Sequence, residues 1–238
     1  MPAQGVGLIR CDVLPDSEGC PEIVKAVVVA DGEPGPLDAR HLADADLIVA
    51  ADGGAGWLAA LRVTPHVVVG DLDSIEAGHL HALETAGVTI ERHPIDKDRS
   101  DASLAVATAV AAGAREVIVV GALAGERLDH ELSNLLMLAD PAWETVDVRV
   151  VRDETTVRAV TGGGRLNLEG VAGEIVTLLA IGDAHGVRTE GLSYPLVGET
   201  LRSGESRGLS NVIASAPASV RLEAGTLLVV EISRQGVT

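Results

Sequence analysis

Between residues 25 and 120 the chain alternates short apolar runs with longer stretches of helical spacing. The runs are 25–30, 46–51, 66–69, a weaker one at 88–91, and 116–120. Most end in a turn signal: Asp31-Gly32, Asp52-Gly53-Gly54, Gly70-Asp71 and Gly121. Each fits a buried strand followed by a turn. Between them, 55–61 carries Trp57, Leu58 and Leu61, and 76–86 carries Leu80 and Leu83. Stretch 100–112 carries Leu104, Ala107, Val110 and Ala111, and 129–138 carries Leu132, Leu135, Leu136 and Leu138. Those spacings place apolar side chains on one helix face. Strand and helix in alternation predict an α/β fold with a mainly parallel sheet and flanking helices.

After about residue 145 the helical period vanishes. Runs at 146–151, 156–160, 174–181, 187–190, 219–222 and 226–232 read as strands. Gly162-Gly163-Gly164, Gly182-Asp183 and Glu223-Ala224-Gly225 read as the turns between them. Short strands with regular turns predict an all-β sandwich. The expected division is an irregular segment at 1–24, an α/β nucleotide-binding domain at 25–145 and a β-sandwich domain at 146–238.

Composition sharpens this picture in three ways. The core must be aliphatic, because the chain has no Phe and only Trp57, Trp143 and Tyr194 as aromatics. The formal net charge of −17 repels phosphate backbones and anionic lipids, so no nucleic-acid or membrane partner is expected. Cys11 and Cys20 are too few for a disulfide framework or a zinc site. No basic-led apolar leader opens the chain and the apolar runs are shorter than a membrane span, so a cytoplasmic protein is expected.

The candidate chemistry is carboxylate chemistry. Ligands of open parallel sheets sit at the carboxyl ends of strands. There the sequence puts Asp52, Asp71 and Asp73, with Asp96, Asp98 and Asp101 in the next loop and helix start. In extended backbone Asp71 and Asp73 point the same way and can share one hard cation, such as Mg²⁺ with phosphate oxygens. A lone Asp after a strand is more often a turn former or helix cap. Several at successive strand ends repel one another and call for a counter-ion. Gly53-Gly54 either lets backbone approach a phosphate or makes a turn. Residues 121–130, GALAGERLDH, place a glycine-bearing loop before a helix, a plausible anion site with Arg127 as a bidentate phosphate ligand. Arg127 and Asp129 could equally form a surface pair, and His130 could be an ordinary helix-face histidine. The chain has no P-loop, dinucleotide fingerprint or nucleophile elbow.

Six segments together resemble the thiamine pyrophosphokinase family: ADGGAGWL at 51–58, VGDLDSI at 69–75, KDRSD at 97–101, GALAGERLDH at 121–130, TEGLSYPL at 189–196 and GLSN at 208–211. They occur in family order. The resemblance implies Mg²⁺-dependent transfer of the β,γ-diphosphoryl group of ATP to the hydroxyl of thiamine, releasing AMP. It also implies a homodimer with active sites at the subunit interface. Carried over by position, Asp71, Asp73 and Asp101 match the magnesium acids. Asp52, Gly53, Gly54, Lys97, Gly121, Arg127, Asp129 and His130 match ATP-binding positions. Asp98, Ser210 and Asn211 match thiamine-binding positions, and Asp71, Asp98 and Arg127 are the catalytic candidates. Ser100 stands where the family usually has Thr, Ser103 where bacterial relatives often have Glu, and Glu126 where Gly is common. Residues 208–216 hold no aromatic that could stack on thiamine. A diphosphokinase for another hydroxymethyl heterocycle, such as a pterin, would use the same D-x-D-S core. A non-catalytic nucleotide-binding relative would need fewer acids.

Overall fold

The computed structural model describes residues 23–233. Cys11, Cys20 and nearly all of the segment expected to be irregular at 1–24 lie outside the described residues. Among the described residues, five strands come first: β1 (Lys25–Val29), β2 (Leu47–Ala51), β3 (Val67–Gly70), β4 (Thr89–Arg92) and β5 (Glu116–Val120). Four helices accompany them: α1 (Gly54–Ala60), α2 (Ala77–Thr85), α3 (Asp101–Ala111) and α4 (Leu128–Met137). All these strands pair in parallel, in the order β4-β3-β2-β1-β5.

Val, Ile and Ala fill β1 and β2 because both sheet faces are covered. On one face α3 packs Ala102, Ala105, Val106 and Ala109 against Val28, Val49 and Val119. On the other, Leu58 of α1 and Leu83 of α2 pack against Val27, Ile48 and Val68. Small residues let α3 lie close to the sheet, and the Ser100 hydroxyl caps its first turn, accepting from Ser103 N at 3.2 Å. Among the described residues, no helix is long and apolar enough to cross a membrane.

The next strand, β6 (Asp147–Arg152), pairs parallel to β5, so by pairing it still extends the α/β sheet. Its sequence could not reveal this, because it runs straight into a hairpin rather than a helix. β7 (Thr155–Thr161) then turns back antiparallel to β6 and begins the antiparallel region. That region continues through β8 (Arg165–Leu168), β9 (Ile175–Glu190), β10 (Val197–Leu201), β11 (Asn211–Val212), β12 (Ala218–Arg221) and β13 (Ala224–Ile232). An aliphatic core of Val176, Leu178, Val187, Ile213, Val220 and Leu227 fills it.

Two expectations need correction here. The runs at 174–181 and 187–190 are one 16-residue strand, β9, and Gly182-Asp183 is not a turn but a bend inside it. Gly182 and Gly186 take positive φ, +70° and +64°, which bends the strand without ending it. Its first half pairs with β13 and β11, and its second with β10 and β12 and, at His185, with the start of β13. β8, β10 and β11 were not anticipated, being short and without a continuous apolar run.

Candidate active site

The chain connections reverse direction between β1 and β5. Strands β2, β3 and β4 follow β1 to one side, whereas β5 and β6 lie on the other. At such a reversal the loops leaving adjacent strands part, and a crevice opens at their carboxyl ends. The backbone is tightly fitted there. Gly32 N donates to Gly121 O at 2.8 Å, and a Cβ on Gly121 (φ +68°) would fall 2.6 Å from Ala30 O. Gly53 and Gly54 are required for the same kind of reason. A Cβ on Gly53 would lie 1.7 Å from Asp31 Oδ1, and one on Gly54 would lie 2.2 Å from Val29 O. The role visible for these glycines is close packing of α1 against the end of β1.

Around this crevice the acids gather. Asp52, Asp71 and Asp73 bring one carboxylate oxygen each within 4.8 Å of one another. Asp52 is buried and sits at φ +45°, and Leu72, between the other two, sits at φ +66°. Such backbone is uncommon for non-glycine residues and costs free energy. Ser74 Oγ donates to Asp52 Oδ2 at 2.6 Å, while Asp52 Oδ1 is buried without a hydrogen-bond partner. Burial raises the Asp52 carboxyl above its usual range, the Ser74 hydrogen bond opposes this, and the charges of Asp71, Asp101 and Asp73 raise it further.

Asp101, expected in the metal set, opens α3 beside this group, and its Oδ1 lies 2.8 Å from Lys97 Nζ. Lys97 is only 12 % exposed and also lies 3.6 Å from Asp71 Oδ2. Burial works against its charge, but the hydrogen bond and charge of Asp101, with Asp71, prevail and raise its pKa. The acid that closes the compact triad is thus Asp52, while Lys97 ties Asp101 to Asp71. Asp98 is exposed in the loop before α3.

Asp31 was missed by the sequence reading. It ends β1 against Gly53, and its pKa is raised by burial first, then by the charges of Asp52 and Asp101. Its position after the first apolar run was the available signal, since every other strand-end acid was noted. Arg127 is the residue before α4, with Nε 2.9 Å from Asp129 Oδ1 in a two-pronged pair open to solvent. That pair holds the Asp129 pKa down to about 2. His130 is exposed one residue further on, near enough to lower the Asp31 pKa slightly against the larger effects.

Ser210 and Asn211 lie far along the chain. Ser210 is exposed at φ +53°, and its N–H donates to Thr177 Oγ1 at 3.0 Å. Asn211 is buried and clamps a loop. Its Oδ1 accepts from Tyr194 N at 3.0 Å and Val212 N at 2.9 Å, and its Nδ2 donates to Tyr194 O at 2.7 Å. The clamp holds the Tyr194 backbone, and that residue is 62 % exposed. The aromatic lacking in 208–216 therefore stands beside the segment on a neighbouring loop.

Comparison with known proteins gives these features a setting. Residues 39–151 match the family description "Thiamin pyrophosphokinase, catalytic domain", and residues 165–227 match "Thiamin pyrophosphokinase, vitamin B1 binding domain". The thiamine pyrophosphokinase of Bacillus subtilis (strain 168) is 21 % identical over 185 residues, 77 % of this chain and 86 % of its own. The crystal structure of the Bacillus subtilis enzyme superposes with a TM-score of 0.77 at 20 % identity, covering 88 % of this chain and 99 % of that one. The solved structure of thiamin pyrophosphokinase from Candida albicans gives 0.75 at 16 % identity, covering 88 % of this chain and 89 % of that one.

Proposed function

This chain belongs to the thiamin pyrophosphokinase family, a family of transferases, and we propose that it moves the β,γ-diphosphoryl group of ATP to the hydroxyl of thiamine, releasing AMP. The observation that carries the reading is the triad of Asp52, Asp71 and Asp73 at the sheet's reversal point. Its donor set suits a hard divalent cation. All three ligands are carboxylates, they repel one another, and Asp52 Oδ1 has no protein partner. Asp52, Asp71 and Asp73 would hold Mg²⁺, and Asp101, paired to Lys97 through Oδ1, would join them through its other oxygen. The metal, when bound, neutralises charge on phosphate oxygens.

The chain's own residues account for the remaining chemistry. Ser74 fixes the Asp52 carboxylate by hydrogen bonding. Lys97, anchored between Asp71 and Asp101, and Arg127, on exchanging Asp129 for a phosphate, supply positive charge to the nucleotide. Gly53, Gly54 and Gly121 keep the crevice backbone close, and Asp129 and His130 flank Arg127 at the start of α4. Asp98, exposed near the crevice, or Asp71 takes the proton from the thiamine hydroxyl as its oxygen attacks the β-phosphorus. The bond from the β-phosphorus to the oxygen bridging the α-phosphorus breaks, and that oxygen leaves on AMP. Thiamine's positive ring suits an acidic crevice.

A homodimer completes this reading, with Ser210 and Asn211 of one copy facing the Asp71–Asp73 loop of another. Leu128, Leu132 and Leu136 support a second copy, because they form an exposed apolar stripe along α4. Incubation with ATP, Mg²⁺ and thiamine, followed by mass analysis, tests the function. Thiamine diphosphate with AMP is the expected product pair. Thiamine monophosphate with ADP, or turnover only with a hydroxymethyl pterin, would sink it.

A further inference from the structure

On β8, β12 and β9, side chains alternate between the aliphatic core and the opposite face. Val220 and Val187 are buried in the core, while Arg165 and Arg221 are exposed and Arg188 is half-buried. Register then does something unusual. Arg221 stands directly opposite Arg165 on one side and directly opposite Arg188 on the other. Three of the chain's 18 basic residues form one row across three adjacent strands of a protein whose net charge is −17. Like charges directly opposite each other on a sheet destabilise it.

The carboxylates at hand do not cancel the row. Arg165 pairs with Glu190 at 2.9 Å. Glu223 packs its carboxylate over Gly186, where a Cβ would meet it at 2.4 Å. Among the described residues, Arg188 and Arg221 have no ion pair and no side-chain hydrogen bond, and the Arg188 guanidinium rests above Gly198. A cavity of about 480 Å³ opens over the row, lined also by Gly163 and Gly164 of the β7–β8 turn and, on one side, by Glu223, a single carboxylate against the three guanidinium groups. Two adjacent unpaired guanidinium groups, Arg188 and Arg221, with Arg165 and its Glu190 partner beside them, are the donor set for a phosphoryl oxyanion, which they can grip in two-pronged fashion.

We propose that the Arg165–Arg221–Arg188 row is an anion site, separate from the acidic crevice, that takes a small phosphorylated ligand bearing at least two negative charges. The cavity is sized for a small molecule, and with no aromatic among its lining residues and a strongly acidic chain around it, a nucleic-acid strand is excluded. Inorganic pyrophosphate and the phosphates of a nucleotide share the required chemistry.

Isothermal titration calorimetry in EDTA tests this on the full chain, with pyrophosphate and ADP as probes. Saturable binding with Kd below about 1 mM is expected, weakened about tenfold or more in R188Q/R221Q and unchanged in D52N. Tighter binding of ADP than of pyrophosphate would identify a nucleotide as the source, and equal binding the phosphates alone; either supports the site. The ligand-free melting temperature of the double variant should be unchanged or higher, since a repulsion is relieved. No saturable heat with either probe, equal binding by the double variant, or binding abolished by D52N would overturn the proposal. So would a clear fall in ligand-free melting temperature. Loss of self-association by the double variant in sedimentation would overturn it too, because the row would then be contacting a second copy.

Discussion

Replacing Asp52 by Asn separates a metal-binding triad from a merely structural one. Asn accepts positive φ more readily than most residues, so the backbone at +45° is retained. The Ser74 hydroxyl keeps an acceptor. What changes is one charge among three carboxylates whose oxygens lie within 4.8 Å of one another. Two unit charges about 5 Å apart repel by roughly 3 kcal/mol at an effective dielectric constant near 20. Asp73 is exposed and salt screens the group, which brings the relief down to about 1 kcal/mol. In EDTA the variant should therefore melt about 2–4 °C higher than the parent chain. Stabilisation by Mg²⁺ with ATP should shrink, and turnover should fall by about a hundredfold, the loss typical when one electrostatic stabiliser is removed. Differential scanning fluorimetry with and without metal, alongside a coupled assay for AMP, measures both. A lower melting temperature in EDTA with unchanged turnover would refute the reasoning, because Asp52 would then be a structural acceptor for Ser74.

Further expectations concern the neighbours of that triad. Gly54→Ala should cost stability more than Gly53→Ala, because a Cβ at 54 meets the fixed carbonyl of Val29 while one at 53 meets the movable carboxylate of Asp31; about 1–3 kcal/mol by urea unfolding is the scale at Gly54, and equal losses would contradict this. Asn211→Ala removes three hydrogen bonds from a buried amide and should cost about 2–3 kcal/mol. Tyr194→Ala should leave the melting temperature alone and raise KM for thiamine, and the reverse pattern would remove Tyr194 from the site. The Asp129 carboxyl, depressed by Arg127, should titrate near 2 by NMR and return toward 3.8 in Arg127→Ala. Its contribution is present above the ordinary carboxylate pKa and lost as pH falls through about 2, so acidification to pH 4 should leave the pair intact.

The parallel half of the fold was legible because a strand buried on both faces has a plain signature, an unbroken β-branched run such as Val27-Val28-Val29. The antiparallel half was less so. β9 reads as two strands and a turn because Gly182 and Gly186 look the same whether they end a strand or bend it. β11 is two residues long and pairs only through Asn211 and Val212. The candidate acids were legible by position, since strand ends can be counted from the sequence. Their partners were not. Nothing in the order of residues says that Lys97 lies between Asp71 and Asp101, or that Asp52, far back along the chain from Asp73, completes the triad. Tyr194 escaped because its link to Asn211 crosses 17 residues through backbone hydrogen bonds.

The acids at the crevice weaken the fold that carries them. Asp31, Asp52, Asp71, Asp73 and Asp101 converge, and Lys97 is the cation lying between two of them. Asp52 and Leu72 hold uncommon backbone, and Asp52 Oδ1 forgoes a hydrogen bond. Each of these costs free energy in a folded chain, although the Leu72 side chain does pack into the aliphatic core. What holds them is the neighbouring sheet, whose central strands β1, β2 and β5 are buried on both faces and bound on both edges. A structural origin would have placed acids where they cap helices, as Ser100 does for α3, or satisfied both oxygens of Asp52. The stored repulsion is relieved by the arrival of positive charge, and that dependence supports the proposed reading of the triad as a metal site.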